Sequence, residues 1–225
     1  MATRFGVFGK IPGNGDFVQA GLPREFVRTW DTWLQQGLMA ARAQLGELWA
    51  DAYYSAPCWR FLLPPGVAGA EAVQGVLMPS VDRVGRQFPL TLAVALPDGV
   101  PPLAMHFHSA ALLDALETLA LSALDADVTL AEIEAGLARL SLPVEGAAQG
   151  SPGRSARLVS RASGAGALPD LAATLIGPAG EGVSLWSMRT EEASQAFAAP
   201  GLPEPAIAVH LFYPFDRPAA REAMA

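Results

Sequence analysis

Few residue patterns in this chain have chemical potential. Gly6-Val7-Phe8-Gly9-Lys10 has the outline of a phosphate-binding loop but lacks its parts. Arg4 stands where the first glycine belongs, Ile11 where a Ser or Thr would ligate magnesium, and Pro12 removes a backbone donor. A strand ending in a turn is the better reading. Ser80, Asp82 and a histidine can be written as a hydrolytic triad, but Ser80 lacks a nucleophile elbow and no spacing fixes a histidine beside it. His106 and His108 would share one face of a strand, without an evident third metal ligand. Cys58, between Pro57 and Trp59, reads as a buried and inert thiol.

Two segments stand apart. One runs from Gly9-Lys10-Ile11-Pro12-Gly13-Asn14-Gly15-Asp16-Phe17-Val18 through Leu22-Pro23 to Trp30-Asp31 and Trp33-Leu34. The other is Met78-Pro79-Ser80-Val81-Asp82-Arg83-Val84-Gly85-Arg86-Gln87-Phe88-Pro89-Leu90. Both put charges beside glycines and aromatics in predicted turns. A buried, unpaired Asp or Arg costs on the order of 3–5 kcal/mol. Asp16, Asp82, Arg83 and Arg86 are therefore solvated or paired with one another. Two readings stay open: an internal ion-pair and capping network that fixes two loops, or a polar binding surface carried on rigid loops. Either way the Asp82 to Arg86 loop is expected beside the Gly13 to Asp16 turn, with Asp16 or Asp82 holding one arginine while the other faces outward.

The elements that must position these segments follow from periodicity. Residues 4 to 9 read as a strand. A helix from Pro23 to about Ala43 has an apolar face of Phe26, Val27, Trp30, Trp33, Leu34 and Leu38, which puts both tryptophans in the core. A second helical stretch covers about Leu45 to Tyr53. Pro57 to Leu63, Gln74 to Met78 and Phe88 to Leu96 read as strands, the last apolar on both sides and hence interior. Helices are expected over Ser109 to Leu124 and from Thr129, whose spacing to Glu132 is that of a capping box. Gly146 to Gly153 reads as a loop and Leu168 to Leu175 as a short helix. Gly182 to Met188 and Ala206 to Tyr213 read as strands, with a helical stretch near Glu191 to Ala198 between them, and the tail after Pro214 as frayed. The sum is an α+β fold, a mixed but mainly antiparallel sheet with helices on both faces.

Composition bounds the function. At 225 residues with 51% hydrophobic content, the chain can bury a core without disulfides or metals. One domain over residues 1–225 is expected. The apolar run Phe88 to Pro97 is about half a membrane helix. The N-terminus has no stretch of signal-peptide length. With one cysteine, no intrachain disulfide can form, which fits a reducing cytoplasm. The net charge of -7 resides between Pro97 and Gly150, which disfavours nucleic acid and anionic membranes as partners.

At the two charged segments the sequence resembles a known family. Phe8-Gly9-Lys10-Ile11-Pro12 with Gly15-Asp16-Phe17-Val18, then Leu22-Pro23 and Trp30-Asp31-x-Trp33-Leu34, resembles the N-terminal signature of TagF, an accessory protein family of bacterial type VI secretion systems. Trp59-Arg60-Phe61, Gly75 to Arg86 and Phe88-Pro89-Leu90 resemble its second signature, and Gly182-Val183-Ser184-Leu185-Trp186 a later strand motif. Ser187 stands where the family often has a second tryptophan, so no role for a tryptophan pair is carried over. Some relatives carry a fused phosphatase; that activity is not expected of this chain. The resemblance implies a non-enzymatic cytoplasmic regulator that acts after translation to repress assembly or firing of the apparatus. Its implied partner is a protein component of that system, such as a forkhead-associated scaffold, and no cofactor is implied. Lys10, Asp16, Asp31, Ser80, Asp82, Arg83 and Arg86 are the candidate partner-binding or motif residues; no catalytic or metal-binding residue is assigned. The competing readings are a hydrolase built on Ser80 and Asp82, and a structural subunit of the apparatus.

Overall fold

The structure, a computed structural model, describes residues 4–100, 102–143, 182–190 and 194–213. The loop read over Gly146 to Gly153, the helix read at Leu168 to Leu175 and the tail after Pro214 lie outside the described residues. Seven strands form one sheet: β1 (Arg4–Gly9), β2 (Val18–Ala20), β3 (Trp59–Leu63), β4 (Val73–Met78), β5 (Leu90–Ala95), β6 (Val183–Arg189) and β7 (Ser194–Pro200). Their order is β2-β1-β5-β4-β3-β6-β7, and every pairing is antiparallel. β5 lies between β1 and β4 with all six residues buried, as its two-sided apolar run requires.

Helices cover both faces, giving an α/β/α arrangement. On one face lie α1 (Arg24–Leu45) and α2 (Trp49–Tyr54), joined by a 3-10 turn. On the other lie α3 (Pro102–His108), α4 (Ala110–Ser122) and α5 (Leu130–Leu137). Strand alternation serves both layers. Val73, Leu77 and Ala93 join the α1 cluster, while Val76, Met78, Leu90, Leu92 and Val94 join the α4–α5 cluster. Thr129 and Glu132 form the expected capping box of α5. Arg60 on β3 reaches across to Asp114 and Glu117 of α4, each at 2.6 Å, and so ties that helix to the sheet.

The α1 face is an aromatic layer with polar tethers. Trp30 stacks on Phe26, tilts against Trp33 and Phe61, and lies parallel to Trp186 at 6.0 Å. A buried indole needs an acceptor for its N–H, and all five find one. Trp30 donates to Thr91 Oγ1, Trp33 to Pro203 O, Trp49 to Gln87 Oε1, Trp59 to Leu211 O and Trp186 to Ser184 Oγ, at 2.7–2.9 Å. The tryptophans therefore fix orientation as well as fill volume.

Three sequence expectations are corrected. The stretch near Glu191 to Ala198, read as helical, holds strand β7. Trp186 opposes Phe197, and the two rings stack at 5.9 Å, so cross-strand packing overrides intrinsic propensity. Ala206 to Tyr213, read as a strand, is a short helix (Pro205–Ala208) running into a 3-10 turn (Val209–Leu211). Pro205 suits a helix start, and a short apolar run does not distinguish strand from helix by period. This segment packs on α1, where a Cβ on Gly37 would meet Ala208 Cβ at 3.2 Å. Thirdly, His106 and His108 lie on helix α3 rather than a strand, so their spacing does not put them on one face.

His106 belongs to a buried polar chain. Gln74 Nε2 donates to Ser109 Oγ at 2.9 Å and Ser109 Oγ donates to Met105 O at 2.7 Å. This leaves Gln74 Oε1 to accept from His106 Nδ1–H at 3.3 Å. Burial, and then the nearby Arg60 charge, push His106 down to about 4.

Two outcomes are expected. Trp30→Ala should cost about 3–5 kcal/mol in a urea melt. His106 titrates below its unfolded value of about 6.5, so on acidification the unfolded chain takes up the proton first. The His106 contribution should lower stability between about pH 6.5 and pH 4, by roughly 3 kcal/mol, and is complete below that, where loss of the Asp82 interactions takes over. Urea midpoints across that range check it, with His106→Gln removing this component of the slope.

Candidate functional site: a charged hairpin braced by a glycine-rich turn

The antiparallel order β1-β5-β4 puts the end of β1, the end of β4 and the start of β5 at one end of the sheet. Lys10 to Asp16 leaves β1 there, and Pro79 to Pro89 joins β4 to β5 there. The second connection is a tight hairpin. Val81 bridges Gln87, Asp82 N–H donates to Arg86 O at 3.1 Å, and Gly85 N–H donates to Asp82 O at 2.8 Å. Gly85 has φ +83°, the left-handed position that closes a three-residue hairpin loop.

Asp82 is the centre of this arrangement. Its carboxylate is fully buried. Oδ2 accepts from Lys10 Nζ at 2.9 Å and from Arg86 Nε at 2.6 Å. Oδ1 accepts from the backbone N–H of Val84 at 3.1 Å and of Arg86 at 2.9 Å, so the side chain also caps its own turn. Burial alone would raise the Asp82 carboxyl; Lys10, the Arg86 backbone and guanidinium, and the Val84 N–H outweigh it and hold the group well below the usual carboxylate range. Lys10 is buried too, and its Nζ also lies over the Phe17 ring at 5.2 Å.

The turn braces the hairpin from one side. Arg83 N–H donates to Asn14 O at 2.9 Å and Arg86 Nη2 donates to Gly15 O at 2.8 Å. The turn itself rests on the α4–α5 connection, where a Cβ on Gly13 would overlap the Val128 carbonyl oxygen. From the other side, Tyr53 of α2 donates to Ser80 O at 2.7 Å and accepts from Ser80 N–H at 3.1 Å. Burial pushes the Tyr53 phenol up, so it remains a donor. Gln87 Oε1 accepts from both Trp49 and Arg42, and the Arg42 guanidinium lies over the Trp49 ring at 5.3 Å.

The two charged segments thus lie together. Lys10, Ser80, Asp82, Arg83 and Arg86 share one place, and Asp82, not Asp16, takes the arginine. Asp16 is exposed at its edge and accepts from Phe17 N–H at 2.8 Å. Asp31 is positioned apart, on α1, accepting from Gln35 at 2.9 Å. Ser80 is buried and its Oγ has no hydrogen-bond partner among the described residues. A Ser–His hydrogen bond, which the hydrolase reading requires, is therefore not formed there. Cys58 is half-buried, its thiol pushed up by burial and by the Glu117 charge, away from a reactive thiolate.

Sequence reasoning passed over the apolar part of this place. Val84 at the hairpin tip is 70% exposed and Phe17 is 44% exposed. The available signal was an aliphatic residue between Arg83 and Gly85 in a turn, where no core contact is available to it. Breaking the buried pair and breaking the exposed one should differ. Lys10→Met should cost about 3–5 kcal/mol, because it removes the buried cation from a buried carboxylate and leaves it one exposed guanidinium and two backbone N–H donors. Arg86→Ala, whose side chain is 62% exposed, should cost about 1 kcal/mol or less. Thermal melts of the two variants check this.

The family described as TagF N-terminal domain, type VI secretion system-associated, matches residues 6–140, which include every residue of the hairpin and its bracing turn. No curated protein matches the chain. Among solved structures, the crystal structure of PA0076 from Pseudomonas aeruginosa PAO1 is 36% identical, covers 92% of this chain and 93% of its own, and superposes with a TM-score of 0.75. No helix among the described residues is long and apolar enough to cross a membrane. The chain belongs to the TagF N-terminal domain family of type VI secretion system-associated proteins.

Proposed function

We propose that this protein is a non-enzymatic, post-translational repressor of type VI secretion that acts in the cytoplasm through protein contacts, and that the hairpin with its bracing turn is the contact surface. The partner is a protein component of the apparatus, and a forkhead-associated scaffold is the leading identity. The observation that carries the reading is an asymmetry at one place. The charges that fix the hairpin, Lys10 and Asp82, are buried, while Arg83, Val84 and Phe17 face outward on a backbone already held in shape. An apolar tip flanked by arginine is the composition of an interface anchor. A surface fixed before it meets its partner loses little conformational entropy on binding.

Val84→Asp tests the reading. The residue is exposed, so the melting temperature should stay close to that of the parent protein, within about 0.5 kcal/mol of stability. Secreted effector should rise towards the level of a deletion strain. A variant that folds normally and still represses fully would remove the hairpin tip from the contact surface.

A further inference from the structure

Arg83 differs from the other cations of the site. Lys10 is bonded to Asp82, and Arg86 is bonded to Asp82 and Gly15 O. The Arg83 guanidinium makes no hydrogen bond or ion pair among the described residues, yet its place is defined. Its backbone N–H is fixed on Asn14 O, and the guanidinium lies against Gly15, where a Cβ would sit 3.2 Å from Nη2. Neither nearby carboxylate is bonded to it. Asp82 has four donors, and Asp16 Oδ1 accepts from Phe17 N–H. The chain thus holds a planar fork of donors in the open, beside an exposed aliphatic tip, with no internal carboxylate bonded to it.

We propose that Gly15 is a seat that orients the Arg83 guanidinium to receive a carboxylate from the partner protein, with Val84 entering an apolar recess beside that carboxylate. This rests on the contact-surface reading above and names the chemistry of its partner: an acidic side chain, Asp or Glu, next to an apolar hollow. A guanidinium favours a carboxylate because two parallel N–H donors match two oxygens, a match that lysine's single ammonium does not reproduce. Gly15 acts through Arg83 and is a positioning residue. Its backbone is not in the left-handed region, so alanine is conformationally allowed there. The added methyl would press only on the far end of the Arg83 side chain.

The test compares Arg83→Glu, Arg83→Lys, Gly15→Ala and Val84→Asp in a strain with an active secretion system, with a deletion strain as reference and melting temperatures measured in parallel. Arg83→Glu and Arg83→Lys are each expected to raise secreted effector by roughly tenfold or more at unchanged melting temperature. Gly15→Ala is expected to give a smaller rise, although every charge is retained. Suppressors of Arg83→Glu are expected to exchange an Asp or Glu for Lys or Arg in a component of the apparatus. If Arg83→Lys and Gly15→Ala repress like the parent, the oriented fork is overturned and only a net charge matters. If Arg83→Glu represses fully while Val84→Asp does not, the carboxylate is overturned and the contact surface stands. If all four repress fully and the deletion strain secretes, the contact-surface reading itself falls. Suppressors that map to a phosphorylated Ser or Thr would replace the carboxylate with a phosphate.

Discussion

A buried carboxylate is stable only when each oxygen is met by donors, and Asp82 imposes that condition on the whole end of the sheet. Two of its four donors are backbone N–H groups of its own turn, so the hairpin must close tightly around it. A third comes from Lys10, 72 residues earlier, so the end of β1 must arrive at the same point. The strand order meets this requirement. Antiparallel pairing of β1 with β5, and of β5 with β4, brings those chain ends together before any side chain is considered. The helices complete the enclosure, with Tyr53 and Trp49 of α2 on one flank and the α4–α5 connection behind Gly13 on the other.

This arrangement places rigidity and exposure in adjacent residues. Asp82 and Arg83 are neighbours in sequence, one sealed and one open. The family match covers the strands that converge here and the helices that brace them. On the proposed reading, substitutions here act at two levels. Changes to its exposed residues act on recognition, and changes beneath it act on shape and reach recognition only through folding.

Much of this was legible in the sequence because it follows from local rules. The α1 face came from its period, the α5 start from Thr129 and Glu132, and the interior place of β5 from its two-sided apolar run. The adjacency of the two charged loops came from a cost argument, that Asp and Arg in glycine-rich turns need partners. The expectation that one arginine is held and another faces outward also matches the structure, with Asp82 as the holder. What was not legible depends on distant contacts. β7 is a strand because Phe197 meets Trp186, and no local property of its alanines says so. The short helix at Pro205 packs on Gly37 of α1, more than 160 residues away, and its apolar run is too short for its period to tell helix from strand. Val84 and Phe17 were missed because exposure of an apolar residue is a three-dimensional fact.

The distribution of the indoles has an optical consequence. Trp30, Trp33 and Trp186 lie within 6.0 Å of one another, close enough for their electronic transitions to couple and for excitation to pass between them. Trp49 keeps different company: its N–H rests on Gln87 of the hairpin, and the positive charge of Arg42 sits over its ring. Its emission is therefore tuned by the hairpin. A change in the hairpin would therefore register in Trp49 emission, superimposed on that of the four other indoles.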